Sequence, residues 1–182
     1  DGPIFGPWGP DPADTAIERE AQAWMNDPYG HFGHHNTRIH SLDRAEVEAV
    51  QLAAMRQRLE ERRGQIQMLQ KLADGQGIGE IASLDAMAPL LIPHDVYKSY
   101  PVSLLAKHQF GKLNGWLSKL TRHDISGVDV SACDSIDSWL TLLREATPLD
   151  VATSSGSTGT CSFFPKSKAD YAVSVMGLRV QL

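Results

Sequence analysis

Cysteine is scarce: Cys133 and Cys161 are the only two in the sequence. They follow no paired spacing, so neither a disulfide framework nor a zinc knuckle is suggested. An excess of positive charge is also missing, since 17 Lys and Arg stand against 22 Asp and Glu, for a net charge of -5. Nucleic-acid-binding surfaces usually show as a basic excess, so that partner class is disfavoured. A small anion site is not excluded, because one pocket need not register in the total. No apolar run reaches membrane-spanning length, and the N-terminus lacks a basic-then-apolar leader. The expected setting is soluble, reducing and cytoplasmic, with no membrane and no nucleic-acid partner.

What is present is ordinary globular composition: 182 residues, 42% hydrophobic and 21% charged, enough for one real core. The chain starts at Asp1 without methionine and stops inside the apolar stretch YAVSVMGLRVQL, so both ends are expected to be cut. Residues 1–40 are dense in Pro, Gly and His. They read as an irregular arm with a short helix over Thr15–Met25, which Trp8 and Trp24 could anchor to a larger body. His31, His34, His35 and His40 could suggest a metal site. Neither Cys nor regularly spaced carboxylates accompany them, so a solvated cluster is the better reading and no metal site is expected.

From residue 41 the pattern becomes helical. Asp43 with Glu46 three residues on is an N-terminal signature, and Val47, Val50, Ala54, Met55 and Leu59 recur at helical spacing. One helix is expected to run to about Leu72, strained at Gly64 and closed at Asp74-Gly75. Gly75, Gly77 and Gly79 fall one residue short of the dinucleotide fingerprint, and without a preceding strand they read as a terminator and turn. Pro89, Pro93 and Pro101 divide the next stretch into short pieces, and FGKLNGWLSKL is a short amphipathic helix. In SACDSIDSWLTLLREA, Asp134 is expected to cap, Asp137 to sit in the first turn, and Ile136, Trp139, Leu140 and Leu143 to line one face.

The chemistry centres on TSSGSTGT, residues 153–160. A Ser/Gly run met alone is usually a flexible connector. Here LDVA precedes it, CSFFP comes after it with strand character, and Ser167 with Asp170 then opens a helix. A passive linker seldom interrupts two short apolar strands inside a domain. Glycine permits the positive φ that lets successive backbone N–H groups converge on an anion, and the hydroxyls of Ser154, Ser155, Ser157 and Thr158 add rotatable donors. The run is not a Walker loop, because Thr160 rather than Lys follows Gly159. Nor is it a nucleophile elbow, which would need glycine where Ser155 stands. Cys161 could be a nucleophile, but nothing nearby in sequence would lower its pKa, so a small buried hydrophobe on a strand is the stronger reading. Asp43, Asp134 and Asp150 are better explained as caps and strand-edge residues than as general bases.

TSSGSTG resembles the phosphate-binding signature of the adenylate-forming superfamily, the acyl- and aryl-CoA ligases and their relatives. That signature is Ser/Thr-Ser-Gly-Ser/Thr-Thr-Gly followed by Lys-Pro-Lys. Ser154, Ser155, Gly156, Ser157, Thr158 and Gly159 fill its core position by position, whereas Thr160, Cys161 and Ser162 stand where Lys-Pro-Lys would be. That departure is closer to the phenylacetate–CoA ligase branch and to the acyl-protein synthetases of bacterial bioluminescence. IASLDAMAPLLIPHDVYKSYP resembles the same branch's short helix, proline, lysine and aromatic-Pro step. The similarity covers residues 45–182, with only the loop specific.

The resemblance implies an α/β fold, with residues 41–182 the helix-rich N-terminal portion of an AMP-binding (adenylation) domain, incomplete at its C-terminus. It implies ATP and Mg²⁺ activating a carboxylic acid as an acyl-adenylate, then transfer to a thiol, either CoA or a protein. Ser154, Ser155, Gly156, Ser157, Thr158 and Gly159 would grip the phosphates. Lys166 or Lys168 could be recruited for the missing motif lysine, although each reads more simply as a surface residue at a helix start. The acidic metal ligand, the nucleotide contacts and the catalytic lysine would come from the remaining part of the enzyme or another subunit, leaving the fragment alone inactive and its own catalytic residues unassigned. Two other readings stay open: a non-catalytic nucleotide- or anion-binding module, and a helical interaction module with an inert loop.

Overall fold

Caps, prolines and apolar spacing decide where each element begins and ends. The computed structural model describes residues 12–32, 41–154 and 160–171. The chain divides into two compact units, one of residues 1–60 with 80–88 and one of 61–79 with 89–182. Its described elements are mostly helical, with one two-stranded antiparallel sheet, so both helix and strand contribute to the fold.

In the first unit, helix α1 (Pro12–Asn26) and the short α2 (Pro28–Phe32) occupy much of the stretch expected to be irregular. The helix expected over Thr15–Met25 is present and longer at both ends. Asp27 separates the two, and its Oδ1 accepts the Gly30 N–H at 2.8 Å, so α2 starts on a capped turn. Trp24 packs edge-on against Phe32 at 4.7 Å and donates its indole N–H to Glu20 at 3.0 Å. Trp8 lies outside the described residues. Helix α3 (Arg44–Arg63) opens as expected on Asp43, whose Oδ1 accepts the N–H of Ala45 at 2.8 Å and of Glu46 at 3.4 Å. Val50 and Leu59 from its apolar stripe are buried, whereas Met55 is exposed. Arg56 donates to the Ile81 carbonyl at 2.7 Å, holding the returning segment, and Ile81 is fully buried.

The single helix expected to reach Leu72 is two helices. α3 ends at Arg63, just before Gly64, a residue that loses more conformational freedom on entering a helix than any other. Ile66 then turns extended, with φ -114° and ψ 105°, before α4 (Gln67–Gly75) begins. In the second unit, α4 closes where the glycines predicted it: Gly77 has φ 65° and its N–H returns to the Asp74 carbonyl at 3.1 Å. Arg63 fastens that corner by donating to Asp74 Oδ1 at 2.6 Å and to the Ile78 carbonyl at 3.2 Å.

Prolines shape the next stretch. Short 3₁₀ helices at Asp85–Leu90 and His94–Lys98 lead to α5 (Ser103–Ala106), which stops at His108 in the left-handed region with φ 50°. α6 (Phe110–Leu117) runs on as a 3₁₀ turn over Ser118–Leu120. α7 (Ile136–Ala146) buries Trp139 and Leu143 on the face the sequence indicated, with Ile136 and Leu140 packed beside them. Its cap is Ser135, not Asp134: Ser135 Oγ accepts the Ser138 N–H at 3.2 Å, and Ser138 Oγ accepts the Ser135 N–H at 3.1 Å. Asp134 stands one residue outside and accepts the Ser138 hydroxyl at 3.2 Å.

The hairpin of β1 (Leu149–Thr153) and β2 (Phe163–Ser167) follows, paired from Leu149 opposite Ser167 to Thr153 opposite Phe163. Hydrogen bonds from Lys168 N–H to the Pro148 carbonyl and from Ser154 N–H to the Ser162 carbonyl bracket the ladder. Bonded and non-bonded pairs alternate along an antiparallel ladder, so the Val151–Pro165 pair is a non-bonded one and Pro165 N faces away from β1. Leu149 and Phe163 are fully buried against Phe110, Leu113, Leu117, Ile125, Trp139 and Leu143. Phe163 meets Trp139 edge-on at 5.3 Å, and Trp139 hands its indole N–H to buried Asn114 Oδ1 at 2.8 Å. Each large apolar side chain so buried contributes roughly 1.5–3 kcal/mol.

Candidate functional site

The core positions the base of the Ser/Thr/Gly loop. Phe163 begins β2 from the interior, so the residues just before it are drawn against the core as well: Ser162 is 7% exposed and Cys161 is half-buried. Beyond the last β1 pair, the Ser154 N–H donates to the Ser162 carbonyl at 3.1 Å and Ser154 Oγ accepts the Ser162 N–H at 2.9 Å. The Cys161 thiol donates to the Ser154 carbonyl at 3.0 Å. From across the core, the Tyr100 hydroxyl donates to the Cys161 carbonyl at 2.7 Å. These four bonds form a neck that joins the two ends of the loop.

Of the six loop residues predicted to bind phosphate, Ser154 is at this neck, and Ser155, Gly156, Ser157, Thr158 and Gly159 lie outside the described residues. Ser154 has two capacities. Its oxygen is an acceptor within the neck, and that bond does not consume the O–H proton, which can still be given to an anion. Cys161 precedes β2 rather than lying on it, and its thiol is a neck donor, so the expected buried strand position is corrected to the loop's end. Burial, and secondarily the adjacent Cys161, pushes the Tyr100 hydroxyl above its ordinary pKa, which keeps the proton it donates.

The other candidates fall elsewhere. Lys166 and Lys168 are exposed at the opposite end of the hairpin from the neck. Asp150 pairs with Arg144 at 3.2 Å beside the strand, as a strand-edge residue would. Ser167 and Asp170 form the expected capping box: each backbone N–H bonds the other's side chain at 3.0 Å. His31 sits 2.7 Å from Glu20, while His34, His35 and His40 lie outside the described residues. Among the described residues, no group of three or more His, Cys, Asp and Glu is placed to hold a metal ion, and no helix is long and apolar enough to cross a membrane.

Two features were missed in the sequence. The Tyr100–Cys161 bond joins residues 61 positions apart, and the aromatic-Pro step was the only local hint of Tyr100. An open cavity of about 510 Å³ lies at the other end of β1, lined by Asp124, Val128, Asp129, Leu142 and Thr147 among others. Its two carboxylates close local turns: Asp124 accepts the Ser126 hydroxyl and N–H, and Asp129 accepts the Ser131 N–H. Those bonds hold both carboxyls below their ordinary pKa. Against protein-family models, curated proteins and solved structures, the chain finds no match.

Proposed function

We propose that this chain supplies the phosphate-binding loop of an adenylate-forming acid–thiol ligase, acting on ATP and Mg²⁺ in the cytoplasm. The enzyme activates a carboxylic acid as its acyl-adenylate and passes the acyl group to a thiol, CoA or protein. The observation that carries this reading is the position-by-position agreement of residues 154–159 with the signature of that superfamily. The neck supports it, because a connector needs no fixed ends, whereas a cradle must present its donors from a set position.

In the reaction a carboxylate attacks the α-phosphorus of ATP, the new C(O)–O–P linkage forms, and the bond to the β-phosphate oxygen breaks to release pyrophosphate. Negative charge gathers on that leaving group, so donors aimed at it lower the barrier most. The stretch 153–162 offers backbone N–H groups and hydroxyls and no carboxylate, which suits it to phosphate oxygens and not to Mg²⁺. The metal's acidic ligand and the catalytic lysine belong, on this proposal, to the rest of the enzyme. Lys166 and Lys168, both exposed away from the neck, are poor replacements for the motif lysine.

ATP–pyrophosphate exchange by the full-length enzyme tests the proposal. Gly156→Val puts a β-branched side chain at a position where the signature has glycine, and should abolish exchange. Thr158→Ala should slow it by about ten- to a hundredfold, the loss of one hydrogen bond to a charged oxygen, with little change in melting temperature. Normal exchange in both variants refutes a phosphate cradle. Pyrophosphate binding without exchange in the wild type instead selects a non-catalytic nucleotide-binding module.

A further inference from the structure

We infer that Tyr100 is a positioning residue for the phosphate-binding loop: its hydroxyl, through the Cys161 carbonyl, sets where the loop's two ends leave the core. The inference rests on the function proposed above for the loop.

Tyr100 is 3% exposed, so its hydroxyl cannot trade this bond for one to bulk water. The ring is fixed on two sides, edge-on to Trp116 at 5.0 Å and tilted against Phe163 at 5.3 Å. Phe163 is the first residue of β2, so the same aromatic group that grips the strand also holds the carbonyl two residues before it. From there the chain of bonds continues: the Cys161 thiol to the Ser154 carbonyl, then Ser154 and Ser162 to each other. These bonds link the core to both ends of the Ser/Thr/Gly stretch. The sequence between these ends, Ser155 to Thr160, has no large apolar side chain to bury in a core, which gives the anchoring of its ends more weight. Donors misplaced by an ångström at a leaving group lose much of their effect.

Tyr100→Phe removes one oxygen and keeps the ring, and Tyr97→Phe is the control. Tyr97 packs on Phe164 at 4.8 Å on the same hairpin, and its hydroxyl makes none of the four neck bonds. Two measurements on the full chain separate the possibilities. The first is amide hydrogen exchange, where Tyr100→Phe should speed exchange at Ser154 and Ser162 by about tenfold or more and leave Leu113 and Leu143, in the core helices, unchanged. Unaltered protection at Ser154 and Ser162 overturns the inference. The second is titration with inorganic pyrophosphate, where the dissociation constant should rise about fivefold or more in Tyr100→Phe and stay at the wild-type value in Tyr97→Phe. Equal affinity in Tyr100→Phe and wild type overturns the inference while the loop's function stands. If the wild type binds no pyrophosphate, the loop's function fails, and the exchange rates still decide whether Tyr100 holds the neck.

Discussion

Replacing Asn114 by alanine tests whether one buried amide fixes α6 against α7. Asn114 is 4% exposed, accepts the Trp139 indole N–H at 2.8 Å, and donates to the Ile125 carbonyl at 3.4 Å. Trp139 is fully buried, so its N–H has no water to turn to when that acceptor is removed. A buried donor left unsatisfied costs about 1–3 kcal/mol. The longer bond to Ile125 adds about 0.5 kcal/mol, and the void left by the amide about 1 kcal/mol. The expected loss is therefore about 2.5–4.5 kcal/mol, a large part of the roughly 5–15 kcal/mol that holds a domain together. For a chain of this length the melting temperature should fall by about 5–18 °C. Trp139→Phe removes the donor and keeps an aromatic ring, so the second substitution should cost less in the Asn114→Ala background than alone. Urea unfolding of the two single variants and the double variant, followed by circular dichroism, should return a coupling of about 0.5–3 kcal/mol. A coupling indistinguishable from zero refutes the claim that the amide and the indole act as a pair.

The cap of α7 gives a second test: Ser135→Ala should lower stability by about 1 kcal/mol and Asp134→Ala by clearly less, read from urea midpoints. The reverse order would return the cap to Asp134. Acidity gives a third. Burial, then Arg122, lowers the His123 pKa below 6.5 against an opposing pull from Asp170. The unfolded chain then binds more protons between that lowered value and 6.5, so stability rises with pH through the window and is lost as pH falls through it. Asp170 continues the trend: burial raises its carboxyl, but the Ser167 bonds, Arg122 and His123 outweigh this and hold it below 3.8. Its contribution is present above 3.8 and lost as pH falls through the lowered value. His123→Gln should therefore flatten the fall in melting temperature between about pH 7 and pH 5, and an unchanged slope would show that another group governs it.

Local signals were legible wherever one residue's chemistry decided the outcome. Asp43 has two backbone N–H groups within reach, the face of Trp139 and Leu143 follows from spacing, and Ser167 with Asp170 closes its box. The apolar flanks of the loop also announced both strands, though not that they pair with each other. Competition between equivalent signals was harder to read. Asp134 and Ser135 are both good caps, and the backbone direction at Ser135, invisible in sequence, chose between them. Gly64 was recognised as a strain point, but that the helix breaks there instead of bending shows only in the extended backbone at Ile66. Proline and glycine at the N-terminal end suggested irregular chain, yet Trp24 against Phe32 and the Asp27 cap supply enough order for helix. The neck was out of reach, because its key contact links Tyr100 to a carbonyl, and a carbonyl carries no sequence signature.

Pro165 has a consequence for how the hairpin could grow. Three β2 residues direct their backbone away from β1: Phe163, Pro165 and Ser167. Proline has no N–H to offer, and the Ser167 N–H is already given to Asp170. Among the described residues of that edge the Phe163 N–H is the one donor left beside the outward carbonyls, a poor template for a neighbouring strand. On β1 the Leu149 N–H is held by Thr147, but Val151 and Thr153 keep outward-facing donors. Sheet extension by any additional segment is therefore directed to the β1 side, and the β2 edge resists the edge-to-edge pairing that leads short hairpins to aggregate.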